Sequence, residues 1–152
     1  MAVGNVAGGF GFRGLKKKGS AVAHRHDVRV YYEDTDLAGI VYYANYLKFI
    51  ERGRSEWVRS LGVDQGRLRA EEGIVFAVRR VEADYLRPAV YDDLLAVTTE
   101  LVELGGAKIV LDQAVWRGEV RLFAARVVLV CVGPAMGAAR IPAAVRAALQ
   151  GG

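Results

Sequence analysis

Residues 31–46 read YYEDTDLAGIVYYANY. Three carboxylates, Glu33, Asp34 and Asp36, fall within four positions, and a small, nearly uncharged loop containing Gly39 follows them. The residue pattern differs on the two sides of this loop. Upstream, DVRVYYE (27–33) is β-branched and aromatic with partial alternation, which predicts a strand. Downstream, Tyr46, Phe49, Ile50, Gly53, Trp57 and Leu61 recur at helical spacing, while Lys48, Glu51, Arg52, Arg54, Glu56 and Arg59 fill other positions. The spacing predicts one helix of about four turns, from Ala44 to a stop near Gly62. A glycine inside a helix costs about 1 kcal/mol relative to alanine. Gly53 lies on the apolar stripe, so a close approach of the helix to a sheet is expected there. The carboxylates therefore stand just ahead of a helix start, where free backbone N–H groups and partial positive charge collect.

The second half reads as strand after strand: FAVRRVEADYL (76–86), DLLAVTTELVEL (93–104), AKIVLDQAVWR (107–117) and EVRLFAARVVLVCV (119–132). Gly105-Gly106 and Arg117-Gly118-Glu119 predict tight hairpin turns, and short connections imply antiparallel neighbours. DQGRLRAEEG (64–73) is a weaker helical piece or loop. PAAVRAALQ (142–150) predicts a closing helix, with Pro142 suited to its first position. The fold class is α+β, an apolar helix and a curved sheet wrapped around each other. Such a sheet has exposed edges, so pairing between subunits is expected.

The 152 residues and 53% hydrophobic content fit one globular domain. No apolar run approaches the roughly 18 residues that span a bilayer, so no stable membrane insertion is expected. The single cysteine, Cys131, lies in an apolar run and reads as core; it has no partner for an internal disulfide, which fits the reducing cytoplasm. The net charge is +4, but Arg13, Lys16, Lys17, Lys18 and Arg25 stand in a stretch without acids. Setting these five aside leaves 16 basic against 17 acidic residues. The basicity thus belongs to the acid-free stretch 1–25, mostly to its glycine-rich residues 1–23, expected to be a mobile tail, and not to a folded nucleic-acid face. Residues 24–152 are expected to form the single domain. The tail's glycines precede its lysines, the reverse of a secretory leader.

Taken together, residues 31–62 and ADYLRPAVYDDLLAVTTELVEL (83–104) resemble the hotdog-fold acyl-CoA thioesterases of the 4-hydroxybenzoyl-CoA thioesterase and YbgC group. The resemblance covers residues 26–143 and rests on Asp34-x-Asp36-x-x-Gly39-x-Val41-x-x-x-Asn45-Tyr46. It implies a long central helix wrapped by a five-stranded antiparallel sheet. It also implies homodimers that share a site at their interface, often paired into homotetramers, and hydrolysis of a short-chain or aromatic acyl-CoA to free acid and CoA. Asp36 is then the catalytic carboxylate, as nucleophile or general base, and the Tyr43 backbone N–H polarises the carbonyl.

The loop residues Gly39, Ile40 and Val41 are the expected acyl contacts. Lys108, in the hairpin before the fourth strand, and Arg140, in the C-terminal segment, are the candidates for the CoA phosphates. No metal or other cofactor is expected, because ligand-spaced Cys/His clusters are lacking. Members of the YbgC type often carry histidine where this chain has Tyr43; the 4-hydroxybenzoyl-CoA branch has tyrosine. His24 and His26 are expected ahead of the first strand as polar residues, away from any catalysis. Asp34 is expected to shape a turn, Asn45 to cap the helix, and Tyr46 and Phe49 to fill the core. Glu51 is the rival carboxylate, with a surface ion pair to Arg52 or Arg54 as its ordinary role. The other functional class is a non-catalytic acyl-CoA or acyl-carrier binding module on the same scaffold.

Overall fold

The computed structural model describes residues 23–151, so all of the expected tail except Ala23 lies outside the described residues. Five strands, β1 (His24–Arg29), β2 (Val75–Tyr85), β3 (Leu94–Leu104), β4 (Lys108–Arg117) and β5 (Val120–Val132), form one antiparallel sheet in the order β1-β3-β4-β5-β2. Three helices accompany it: α1 (Asn45–Ser60), α2 (Gln65–Glu72) and α3 (Ala143–Gly151). The chain joins β3, β4 and β5 through the two predicted turns. The edge strands pair over long separations, His24 with Thr99 and Val75 with Val132.

The helix α1 lies on the inner face of the sheet. Phe49, Ile50 and Trp57 from its apolar stripe are buried with Leu95 and Val97 of β3, Leu111 and Val115 of β4 and Val127 of β5. Gly53 makes this contact possible. A Cβ there would run into the Val97 side chain, lying 3.1 Å from its Cβ. The absent side chain lets β4 come close enough for the buried Gln113 amide to donate to the Ile50 carbonyl and to Thr99 Oγ1, both at 2.9 Å. A polar group in the core is thereby satisfied, which removes the cost of burying it. Cys131 is fully buried, and burial pushes its thiol pKa up, in keeping with a core role.

The first strand is shifted from its expected place. β1 covers 24–29, so His24 and His26 lie within it, and residues 32–34 form a single 3-10 turn. The ladder gives way because Asp34 Oδ2 accepts the Tyr31 N–H at 2.8 Å, and Thr35 N and Oγ1 both donate to the Tyr32 carbonyl. Short polar side chains offer the backbone an alternative to strand pairing. The turn-forming role of Asp34 is seen; the aromatic run of Tyr31 and Tyr32 is not strand.

Candidate active site

The loop between this turn and α1 is closed by its own backbone. Thr35 and Val41 form an isolated antiparallel bridge, Asp36 N donates to the Ile40 carbonyl at 3.0 Å, and Gly39 N donates back to the Asp36 carbonyl at 2.9 Å. Gly39 has φ of +83°, a left-handed conformation that a glycine adopts without strain. Asp36 Oδ1 accepts the Ala38 N–H at 2.9 Å, leaving the other carboxylate oxygen without a bond to described residues, and the residue is partly exposed. A turn-forming bond and an unengaged oxygen thus coexist on one carboxylate.

The loop is anchored at both ends. The Asp34 carbonyl accepts Tyr42 N and Asn45 Nδ2, each at 2.9 Å. Asn45 is buried and makes no capping bond; Ala44 is the cap residue, without a side-chain bond. Its amide reaches back over the loop because the helix start packs directly on the turn, so the expected capping role becomes a tethering one. On the other side, residues 86–93 form a strap. Ile40 bridges Val90, and Val41 N donates to the Ala89 carbonyl at 2.9 Å. Ala89 N in turn donates to the Tyr46 hydroxyl at 3.1 Å. Asp93 Oδ2 holds the strap by accepting Val90 N at 2.9 Å and Arg117 Nη1 at 2.8 Å.

The helix start supplies donors. Asn45, Tyr46 and Leu47 N–H groups bond to the carbonyls of Tyr42, Tyr43 and Ala44, whereas the Tyr43 and Ala44 N–H groups have no acceptor among the described residues. These are the orphan donors of a helix N-terminus. Ile40, Val41 and Tyr43 border one hollow with Tyr46, Tyr85 and Arg87. Val41 is itself only 2% exposed, so it faces mostly core, while Tyr43 is 53% exposed and is not core filling. Tyr46 and Phe49 are core, as expected. Burial raises the pKa of both Tyr46 and Tyr85, keeping the hydroxyls protonated. In one chain the hollow has only about 10 Å³ of room.

Lys108 and Arg140 lie elsewhere. Ile141 N donates to the Gly106 carbonyl at 2.9 Å, which brings the segment of Arg140 beside the hairpin of Lys108. Lys108 Nζ is 3.4 Å from Glu103. That hairpin is at the Leu104 end of β3, whereas the Asp36 loop follows Arg29, which pairs with Leu94. Ten residues of strand at about 3.3 Å each separate the two ends by roughly 30 Å. Glu51 sits at the mouth of a separate apolar cavity of about 140 Å³ lined by Trp57, Phe76, Leu111 and Leu129. Among the described residues it accepts from Ser55 Oγ at 2.7 Å and makes no ion pair within 4 Å; the expected pair with Arg52 or Arg54 is replaced by this bond. Desolvation lowers the pKa of Arg54 beside it, against the pull of Glu51.

Tyr46 was read only as a core member of the motif, and Tyr85, Asp93 and Arg117 had no role on sequence grounds. The signal for Tyr85 and Asp93 was the stretch 83–104, which carries the resemblance but is separated from the carboxylate by about fifty residues.

This sheet order, curled over one long helix, is the hotdog fold of thioesterases. Residues 38–124 match the family model described as thioesterase superfamily. The chain is 46% identical over 105 residues to an acyl-CoA thioesterase YbgC of Haemophilus influenzae, covering 69% of this chain and 77% of that protein. It is 42% identical over 111 residues to an acyl-CoA thioester hydrolase YbgC of Escherichia coli, covering 72% and 82%. A probable thioesterase from Bartonella henselae superposes with a TM-score of 0.77 at 37% identity, over 80% of this chain and 100% of the other. The chain belongs to the thioesterase superfamily.

Proposed function

We propose that this protein hydrolyses the thioester of an acyl-CoA, releasing a free acid and CoA, with Asp36 as the reacting carboxylate. The observation that carries this reading is the shared anchor at the Asp34 carbonyl, which ties the Asp36 loop to a helix start bearing two unaccepted N–H groups. Asp36 either attacks the carbonyl carbon, displacing the thiolate and leaving a mixed anhydride that water then cleaves to free acid and restored carboxylate, or takes a proton from water that attacks the carbon directly. The oxygen that becomes negative is stabilised by the Tyr43 N–H at the positive end of α1. The CoA sulfur leaves as a thiolate and takes up a proton. The names of the Haemophilus and Escherichia relatives support the substrate class. The small volume of the hollow and the roughly 30 Å between the Asp36 loop and the Lys108–Arg140 end support a site built from two copies. In that arrangement Gly39 and Ile40 contact the acyl group while Lys108 and Arg140 of the other copy meet the CoA phosphates. A dimer is the minimal unit, a tetramer its pairing, and the cytoplasm its place.

The test is thiol release across a panel of short aliphatic and aromatic CoA esters, with wild type and Asp36→Asn. Wild type should release thiol on at least one ester. The variant, whose amide oxygen can still accept the Ala38 N–H, should bind that ester and lose at least about 10³-fold in kcat. Binding by wild type without release on any ester would instead make the protein an acyl-CoA binding module.

A further inference from the structure

The Tyr43 carbonyl, in the turn that leads into α1, is held by a side chain from the sheet. Its helical bond, from Tyr46 N, is long at 3.4 Å. The Tyr85 hydroxyl, at the end of β2, donates to it at 3.0 Å from a residue 42 positions away. The Tyr85 ring is fixed on three sides by edge contacts with Tyr43, Tyr46 and Phe123, at centroid distances of 6.0, 5.6 and 5.0 Å. Tyr46 and Phe123 are buried, so the hydroxyl rests on a rigid base.

We infer that Tyr85 is a positioning residue for the reaction: its hydroxyl fixes the 43–44 peptide and so aims the N–H donors at the helix start. This rests on the thioesterase reading given above. The chemistry is that of the peptide unit. The Tyr43 carbonyl and the Ala44 N–H belong to one plane and point in opposite directions. Holding the carbonyl toward Tyr85 therefore sets the direction of the Ala44 N–H. It also fixes one of the two soft dihedrals of Tyr43, whose own N–H is the proposed oxyanion donor. A hydrogen bond accepted by a peptide carbonyl polarises the unit and makes its N–H a stronger donor. Without the hydroxyl, the weak helical bond alone would hold this peptide. The raised Tyr85 pKa keeps the donor proton in place at neutral pH. Tyr85 touches the carbonyl of Tyr43 and need not touch substrate.

The experiment compares wild type, Tyr85→Phe, and a variant carrying 4-aminophenylalanine at position 85, which keeps a para donor. For Tyr85→Phe, kcat should fall about ten-fold while KM and the affinity for a non-hydrolysable thioether analogue stay within about two-fold, because only transition-state contacts weaken. The amino variant should recover most of the lost kcat, a rescue that packing alone would not produce. In amide NMR spectra of the free protein, the Tyr43, Ala44 and Tyr46 signals should move in Tyr85→Phe and return in the amino variant. Unmoved amide signals, or a Tyr85→Phe enzyme with wild-type kcat while Asp36→Asn is dead, would overturn the inference. A wild type inactive on every ester would sink the thioesterase reading itself. The amide signals would then still decide whether the hydroxyl holds the helix start.

Discussion

Asn45 Nδ2 donates to the Asp34 carbonyl across 2.9 Å, spanning the whole of the loop that carries Asp36. The amide is buried and the same carbonyl takes the Tyr42 N–H, so one oxygen joins the turn, the loop end and the helix. Asn45→Ala should cost about 1–3 kcal/mol, because it takes one of two donors from the Asp34 carbonyl and opens space where the buried amide lay. Chemical denaturation measures that loss. The same variant should lose kcat by more than the loss of folded protein accounts for, measured at a temperature where it is fully native.

Two carboxylates compete for the chemistry, and they lie on different elements. Asp36 is on the loop tethered to the start of α1, bonded to Ala38 N; Glu51 is on α1 itself, lining the apolar cavity and bonded to Ser55. Glu51→Gln preserves that bond and should leave kcat within about three-fold of wild type, against a loss of at least about 10³-fold for Asp36→Asn. The reverse order would move the reaction to the helix carboxylate.

Gly53→Ala weighs two opposing effects. Alanine improves helix propensity by about 1 kcal/mol, and overpacking a core costs about 1–3 kcal/mol. The Val97 side chain meets the new methyl and is fully buried, and Gln113 stands 3.7 Å from the same point. Overpacking should win, lowering the unfolding free energy by a net of up to about 2 kcal/mol, read as a lower urea midpoint. A gain in stability would mean that the helix can lift from the sheet at little cost.

His24 makes folding sensitive to mild acid. Its Nδ1 is buried with no hydrogen-bond partner among the described residues. Desolvation first, then the charge of His26, lowers its pKa from the ordinary 6.5, against a smaller pull from Glu56. The unfolded chain therefore binds more protons than the folded one just below pH 6.5, and stability falls as the pH drops through that range. The melting temperature should decline between pH 7.5 and 5.5, and His24→Leu should flatten that decline. An equal slope in both proteins would exclude His24 as its source.

The fold was legible where periodicity is strong. The four long strands, both hairpin turns and the stripe of α1 were read within a residue or two, because alternation and helical spacing each run over ten or more positions. The first strand was misplaced, because Tyr31 and Tyr32 have strand propensity but Asp34 competes locally for the backbone. At the site, Asp36 and Tyr43 were named from a motif confined to one loop. Tyr85, Asp93 and Arg117 were missed because their roles arise from contacts over 24 to 42 positions, which no local pattern encodes. Lys108 and Arg140 were named for the CoA phosphates of a site shared between two copies, and the length of β3 puts their end of the sheet far from the Asp36 loop of the same chain.

The order β1-β3-β4-β5-β2 also has a consequence during synthesis. The helix is made long before the surface that covers it, for about seventy residues separate Ser60 from the end of β5. At roughly 5–20 residues per second, that is on the order of 4 to 14 seconds. Through that interval Phe49, Ile50 and Trp57 lack the complete sheet they are buried against in the finished protein. The local meander of β3, β4 and β5 can close on itself as it emerges, while β1 and β2 wait to be recruited as its flanks. The nascent chain thus offers a greasy helix to any trigger-type chaperone at the ribosome, and its yield should depend on that escort far more than the stability of the finished protein does.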